Sequence, residues 1–76
     1  MSKLPVVSGK DTVKALSKAG FVFMRQRGSH ITLAKEIAPN KYLITVVPIH
    51  KELAKGTLRK IISDSGLTVE EFVKLL

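Results

Sequence analysis

Apolar positions recur along this chain with two different periods, and the changes of period divide it into elements. Between Ser8 and Gly20, Val13, Leu16 and Ala19, with Ala15 beside them, fall on one helical stripe, while Lys10, Lys14 and Lys18 recur every four residues on another face. Ser8 suits an N-cap, Asp11 sits where a carboxylate meets the positive end of the helix dipole, and Gly20 suits the C′ position. These signals predict a helix over residues 9–19. From Phe21 to Arg27 the period drops to two, with Phe21, Phe23, Arg25 and Arg27 alternating with Val22, Met24 and Gln26. This predicts a strand that begins apolar and ends basic. Gly28-Ser29 separates it from a second strand, His30-Ile31-Thr32-Leu33-Ala34, and a two-residue loop that opens with glycine suits a type II′ hairpin turn.

Pro39-Asn40 marks the next turn. The run Tyr42-Leu43-Ile44-Thr45-Val46-Val47 is rich in β-branched residues and is stopped by Pro48. Leu58, Ile61 and Ile62 return to helical spacing between about Gly56-Thr57 and Gly66, with Lys55, Arg59 and Lys60 in or near the first turns. Thr68 and Glu71 have the spacing of a capping box ahead of the stripe Val69, Phe72, Val73 and Leu76. Three strands joined by short loops form an antiparallel meander most economically. The expected fold class is therefore α+β, a three-stranded antiparallel sheet with helices on one face, in the order α-β-β-β-α plus a short C-terminal helix.

Composition narrows what such a fold can be for. The chain has 76 residues, no cysteine, 13 Lys+Arg and 6 Asp+Glu, for a formal charge of +7. That is one small domain without disulfides or thiolate metal sites, stabilised by packing alone. No apolar run approaches the ~20 residues of a membrane span, and Met1-Ser2-Lys3-Leu4-Pro5 lacks the apolar stretch of a signal peptide, so a cytoplasmic protein is expected. The charge is unevenly spread: residues 1–60 hold 12 basic and 3 acidic side chains, and residues 61–76 hold one basic and three acidic. Clustered Lys and Arg gain affinity for a polyanion by releasing counterions from phosphates, which points to nucleic acid; solubility is the plainer explanation.

No phosphate-binding glycine loop, paired-carboxylate site or metal-ligand spacing occurs in the chain, and neither a cofactor nor a metal is expected. The one cluster with chemical promise is Arg25-Gln26-Arg27-Gly28-Ser29-His30, which sets an imidazole beside two guanidinium groups. Imidazole changes protonation near neutrality. With phosphates held by Arg25 and Arg27, His30 could take a proton from a ribose 2′-OH or give one to the leaving 5′-oxygen, and the cations would stabilise charge developing at phosphorus. Such cleavage needs no metal and leaves a 2′,3′-cyclic phosphate. The alternative is a surface histidine with no task. His50, after Pro48-Ile49, is either a second proton-transfer or phosphate-binding group or a polar loop residue. Lys35 near His30, and Lys55, Arg59 and Lys60 at the second helix, are candidate phosphate contacts, since a helix N-terminus adds its dipole and free N–H groups. The lysine row of the first helix is either such a contact or a solvated face. Phe21, Phe23 and Phe72 are expected in the core and Tyr42 on the surface, too few aromatics for a base-stacking binder.

The segment from Lys10 to Phe21, then Arg25-Gln26-Arg27-Gly28-Ser29-His30, Val47-Pro48-Ile49-His50, Lys55-Gly56-Thr57-Leu58-Arg59 with Ile61-Ile62, and Ser65-Gly66-Leu67-Thr68 with Glu71-Phe72 together resemble the HicA (YcfA-like) mRNA interferase toxins. The resemblance runs over nearly all of residues 1–76, which are expected to form a single domain of that kind. It implies a double-stranded-RNA-binding-domain-like fold. It also implies an endoribonuclease, the toxin of a type II toxin–antitoxin pair and a component of stress response, with its essential histidine at His30 and a HicB-type antitoxin that covers the active site. Ile31 stands where many members carry a second histidine. Two other readings remain: a non-catalytic module of the same fold that binds duplex RNA by shape, and a domain whose basic face meets an acidic protein.

Overall fold

The computed structural model describes residues 3–76; Met1 and Ser2, of the segment Met1-Ser2-Lys3-Leu4-Pro5 read for a signal peptide, lie outside the described residues. The elements are α1 (Gly9–Lys18), β1 (Val22–Arg27), β2 (His30–Ala38), β3 (Lys41–Pro48), α2 (Lys55–Asp64) and α3 (Val69–Lys74). The three strands form one antiparallel sheet in the order β1-β2-β3. This is the α-β-β-β-α-α, α+β arrangement expected of a double-stranded-RNA-binding-domain-like fold. Among the described residues no helix is long and apolar enough to cross a membrane.

The local signals act as the side chains dictate. The Ser8 hydroxyl accepts the Asp11 N–H at 3.0 Å and caps α1. Both long helices end in the same way: Gly20 (φ 100°) and Gly66 (φ 71°) take up left-handed backbone, and the next residue donates back to the last turn, Phe21 to Leu16 and Leu67 to Ile62. Thr68 and Glu71 form a reciprocal capping box, with bonds of 2.8 and 3.1 Å. In the first hairpin Gly28 has φ 56° while Ser29 stays at negative φ, the sign pattern of a type II′ turn. Pro39-Asn40 with Asn40 at φ 62° makes the second two-residue loop.

Leu16, Leu33, Val47, Leu58, Ile61 and Phe72 are all but inaccessible and form the centre of the core. Cross-strand register assigns the sheet's two faces: Ile31, Leu33 and Lys35 share a face with Val47, Thr45 and Leu43 and lie toward the helices, whereas His30, Thr32, Ala34 and Glu36 pair with Pro48, Val46, Ile44 and Tyr42 on the open face. Three expectations need correction. β2 runs to Ala38 rather than Ala34, because β3 is long enough to pair with it from His30 to Ala38. Phe23 is 55% exposed rather than buried: a bulge at Met24 interrupts the β1–β2 register, and α1 and α2 pack toward β3, so every residue of β1 is exposed. Thr12 rather than Val13 lies at the centre of the buried stripe of α1, and its hydroxyl is satisfied by donating to the Ser8 carbonyl at 2.9 Å.

One contact fixes where α1 starts. Gly9 is buried, its N–H donates to the His50 carbonyl at 2.8 Å, and a Cβ at this position would collide with the Pro48 carbonyl oxygen and stand 2.9 Å from the Ile49 Cα. Both obstacles are backbone and cannot rotate away. Gly9→Ala gains at most about 1 kcal/mol of helix propensity and forces an overpacked contact that costs about 3 kcal/mol. The urea midpoint of the variant is therefore expected to fall. Thr45 supplies a test of opposite sign: it is 2% exposed and its hydroxyl has no hydrogen-bond partner. Thr45→Val keeps the shape and removes the orphaned hydroxyl, so the variant is expected to be more stable by about 1 kcal/mol, read as a higher thermal midpoint.

Candidate active site and basic pole

The chain alternates direction element by element, so chemistry gathers at one end. α1 leaves that end and β1 returns to it; β2 leaves, β3 returns and α2 leaves again. The starts of both long helices, the Gly28-Ser29 turn and the segment after β3 are thereby neighbours. Backbone bonds lock them together: Ile49 donates to the Ser29 carbonyl at 2.6 Å, Gly9 to the His50 carbonyl at 2.8 Å, and Leu53 to the Val7 carbonyl at 2.9 Å. The partial positive charges of two helix N-termini share this end of the molecule. At α2 the cap residue is Ala54, which offers no side-chain acceptor, so the leading N–H groups of that helix are left without a capping side chain.

His30 is the first residue of β2, exposed, and paired across the ladder with Arg27 on one side and Pro48 on the other. Arg25, opposite Thr32, lies on the same open face. The structure thus brings His30, Arg27 and Arg25 to one surface, with guanidinium-bearing residues at the imidazole's own register position and two residues along the neighbouring strand. Ser29 holds the turn beside them through its carbonyl, and the Gln26 side-chain amide donates to the Gly28 carbonyl at 2.9 Å and braces the same turn. His50 is exposed one residue beyond the Ile49–Ser29 bond, which places it at the same end. It lines a surface hollow of about 350 Å³ with Ser8, Lys10 and Lys51.

Lys55 and Arg59 line a second hollow, of about 530 Å³, together with Lys3. The same end therefore collects Lys10, the first of the α1 lysine row, together with Lys3 and Lys51, which the sequence does not single out. Lys10 was legible only as one of a row, and Lys3 and Lys51 belong to no periodic pattern. Glu52 is the acidic residue of the connecting loop.

Two candidates lie elsewhere. Lys35 sits on the helix-facing side of β2, five residues and about 16 Å along the strand from His30. Its ammonium is 6.0 Å from the Phe21 ring centroid, and its stem lies against Gly20. Lys60 is committed to Asp64 at 3.2 Å, one turn further along α2, and faces β3 rather than the Lys55–Arg59 hollow. Of the lysine row on α1, Lys18 donates to the Leu75 carbonyl at 3.2 Å and ties the C-terminal helix down. Ile31 faces the helices and packs against the core. Among the described residues no group of three His, Asp or Glu side chains is placed to hold a metal ion.

This arrangement can hold a phosphodiester on guanidinium and ammonium groups while an exposed imidazole reaches its oxygens. No curated protein matches the chain. The family model described as "HicA toxin of bacterial toxin-antitoxin" matches residues 9–67, from the start of α1 through the turn that ends α2, and so takes in the whole sheet and the histidine-bearing end. The chain belongs to the HicA toxin family, which gives it a toxin's role and a cognate antitoxin as partner.

Proposed function

We propose that this toxin is an endoribonuclease that cleaves mRNA without a metal, with His30 as general acid or base. The observation that carries the reading is the placement of His30 on the open sheet face, cross-strand from Arg27 and on the same face as Arg25, at the end where both long helices begin. Arg25 and Arg27 hold the phosphate under attack and stabilise the charge that builds on its oxygens. His30 moves the proton of the 2′-OH or of the leaving 5′-oxygen, and cleavage leaves a 2′,3′-cyclic phosphate and a 5′-OH. His50 joins as a second proton-transfer or phosphate-binding group, and Lys55 and Arg59 take a neighbouring phosphate of the same strand. The toxin acts in the cytoplasm, and a HicB-type antitoxin silences it by covering the basic end.

Loss of one acid–base group lowers a rate by about 10²–10⁴-fold. His30→Ala is therefore expected to cut an mRNA transcript at least about 100-fold more slowly than wild type, with both proteins in EDTA and the products read on a gel. Equal cleavage by the two, or cleavage by wild type only when a divalent ion is restored, would overturn the reading. Binding without any cleavage, retained by His30→Ala, would instead support a duplex-RNA-binding module of the same fold.

Phosphate contacts have their own signature. In the His30→Ala background, which leaves RNA intact, Arg25→Ala and Arg27→Ala are each expected to flatten the dependence of log affinity on log salt by about 0.7 for single-stranded RNA. Lys35→Ala, on the other face, is expected to leave that slope unchanged. Fluorescence anisotropy titrations at several salt concentrations measure all three.

A further inference from the structure

The two edges of the sheet are built differently. β1 is interrupted by the Met24 bulge and ends in Arg25, Gln26 and Arg27, features that discourage the addition of another strand. β3 is eight residues long with no extra residue of its own, and it meets a proline only at its last position. Tyr42, Ile44 and Val46 form an exposed apolar row on its open face. Beneath the free edge, between β3 and α2, runs a groove of about 170 Å³ whose walls include Thr45, Thr57, Lys60 and Asp64. Thr45 is the residue whose buried hydroxyl has no partner.

We propose that β3 takes an extended segment of the cognate antitoxin, an acidic protein, as a fourth strand, with a short polar side chain of that segment seated in the groove and bonded to the Thr45 hydroxyl. The free edge supplies main-chain donors and acceptors, the row Tyr42–Ile44–Val46 supplies apolar contact for alternate side chains, and the orphaned hydroxyl fixes register. RNA fits this edge poorly, because the Asp64 carboxylate lines the groove and Lys60 is already paired with it. A second copy of the chain would bring another +7 to a molecule that already carries +7, whereas an acidic protein complements that charge. Val46 lies opposite Thr32, two residues from His30, so a partner anchored at β3 is within reach of the histidine. The inference rests on the antitoxin being the inhibitor proposed above.

The test is amide hydrogen exchange on the full chain, free and in complex with its co-expressed cognate antitoxin. Those amides of residues 42–46 that point away from β2 are expected to exchange at least about tenfold more slowly in the complex, while amides on the outer edge of β1 keep their free rates. Thr45→Val is expected to weaken the complex about fivefold, the value of one hydrogen bond, with RNA cleavage by the free toxin unchanged. A complex that protects β1 instead, or neither edge, overturns the proposal, as does wild-type affinity in Thr45→Val or failure of that protein to bind. Protection of β3 that appears in the free chain at rising concentration, or with an RNA oligomer alone, assigns the edge to a second copy or to RNA and overturns it as well. Unprotected β3 alongside normal His30-dependent cleavage fails this inference alone; protected β3 with cleavage indifferent to His30 fails the catalytic reading alone.

Discussion

The contact on which the rest of this molecule depends is the seating of Gly9 against the backbone at the end of β3. No other residue type fits there, because the space a Cβ would occupy is held by the Pro48 carbonyl and the Ile49 Cα. The same approach lets the Gly9 N–H reach the His50 carbonyl, so the first turn of α1 becomes a clamp on the strand's exit. Once α1 starts at that point, Ala15 and Leu16 fall onto the core, Gly20 ends the helix, and β1 must return to the end where α1 began. The clamp also orders the 49–50 segment, which then has its Ile49 N–H free to hold the Ser29 carbonyl. A packing requirement at one glycine thus places a histidine-bearing turn, a second histidine and a helix N-terminus within one small region.

Charge follows from that topology. A net charge of +7 on 76 residues would be a diffuse surface property if the basic residues were scattered. The up-and-down path makes it local: residues far apart in sequence, such as Lys3, Lys10, Arg27, Lys51 and Lys55, lie in elements or loops that meet at one end. Two of the acids have structural roles away from it, while Asp11 and Glu52 lie at that end. Asp64 pairs with Lys60 beyond the middle of α2, and Glu71 closes the capping box of α3. Repulsion among clustered cations destabilises a small domain, and here it is offset by a tight core and by four helix termini with satisfied caps or Schellman turns.

Much of the fold was legible in the sequence, since its signals are local. Ser8, Gly20, Gly28, Pro39-Asn40, Gly66 and the Thr68–Glu71 pair each act through their own backbone neighbourhood, and each works in the structure as its chemistry dictates. What the local signals do not carry is tertiary placement. Phe23 obeys the period of a half-buried strand, yet no sequence rule says that the helices will sit over β3 and leave β1 bare. Lys35 is close to His30 along the chain, but an odd separation on a strand puts it on the other face. Lys60 follows Arg59 in the helix and points to a different neighbour for the same kind of reason. In the candidate site, period two relates Arg25 to Arg27, but the bulge at Met24 puts Phe23 on the opposite face from Arg25, against the unbroken alternation expected from Phe21 to Arg27; Lys3 and Lys51 come to this end only through tertiary structure.

The alternation also bears on the chemistry. Positions 30 and 31 are adjacent in sequence and serve opposite layers: His30 stands on the open face, and Ile31 packs under the helices with the core. A histidine at 31 would lie against apolar groups on the far side of the sheet from Arg25 and Arg27, where it could not share a phosphate with His30 without a change of register. On the catalytic reading proposed above, a second proton-transfer group for His30 has to come from another element. The 49–50 segment is the one the backbone delivers, since the Ile49–Ser29 bond ties it to the residue before His30. A site assembled this way depends on the clamp at Gly9 twice, once for the fold and once for the position of His50, so its chemistry and its stability are coupled through the same few backbone atoms.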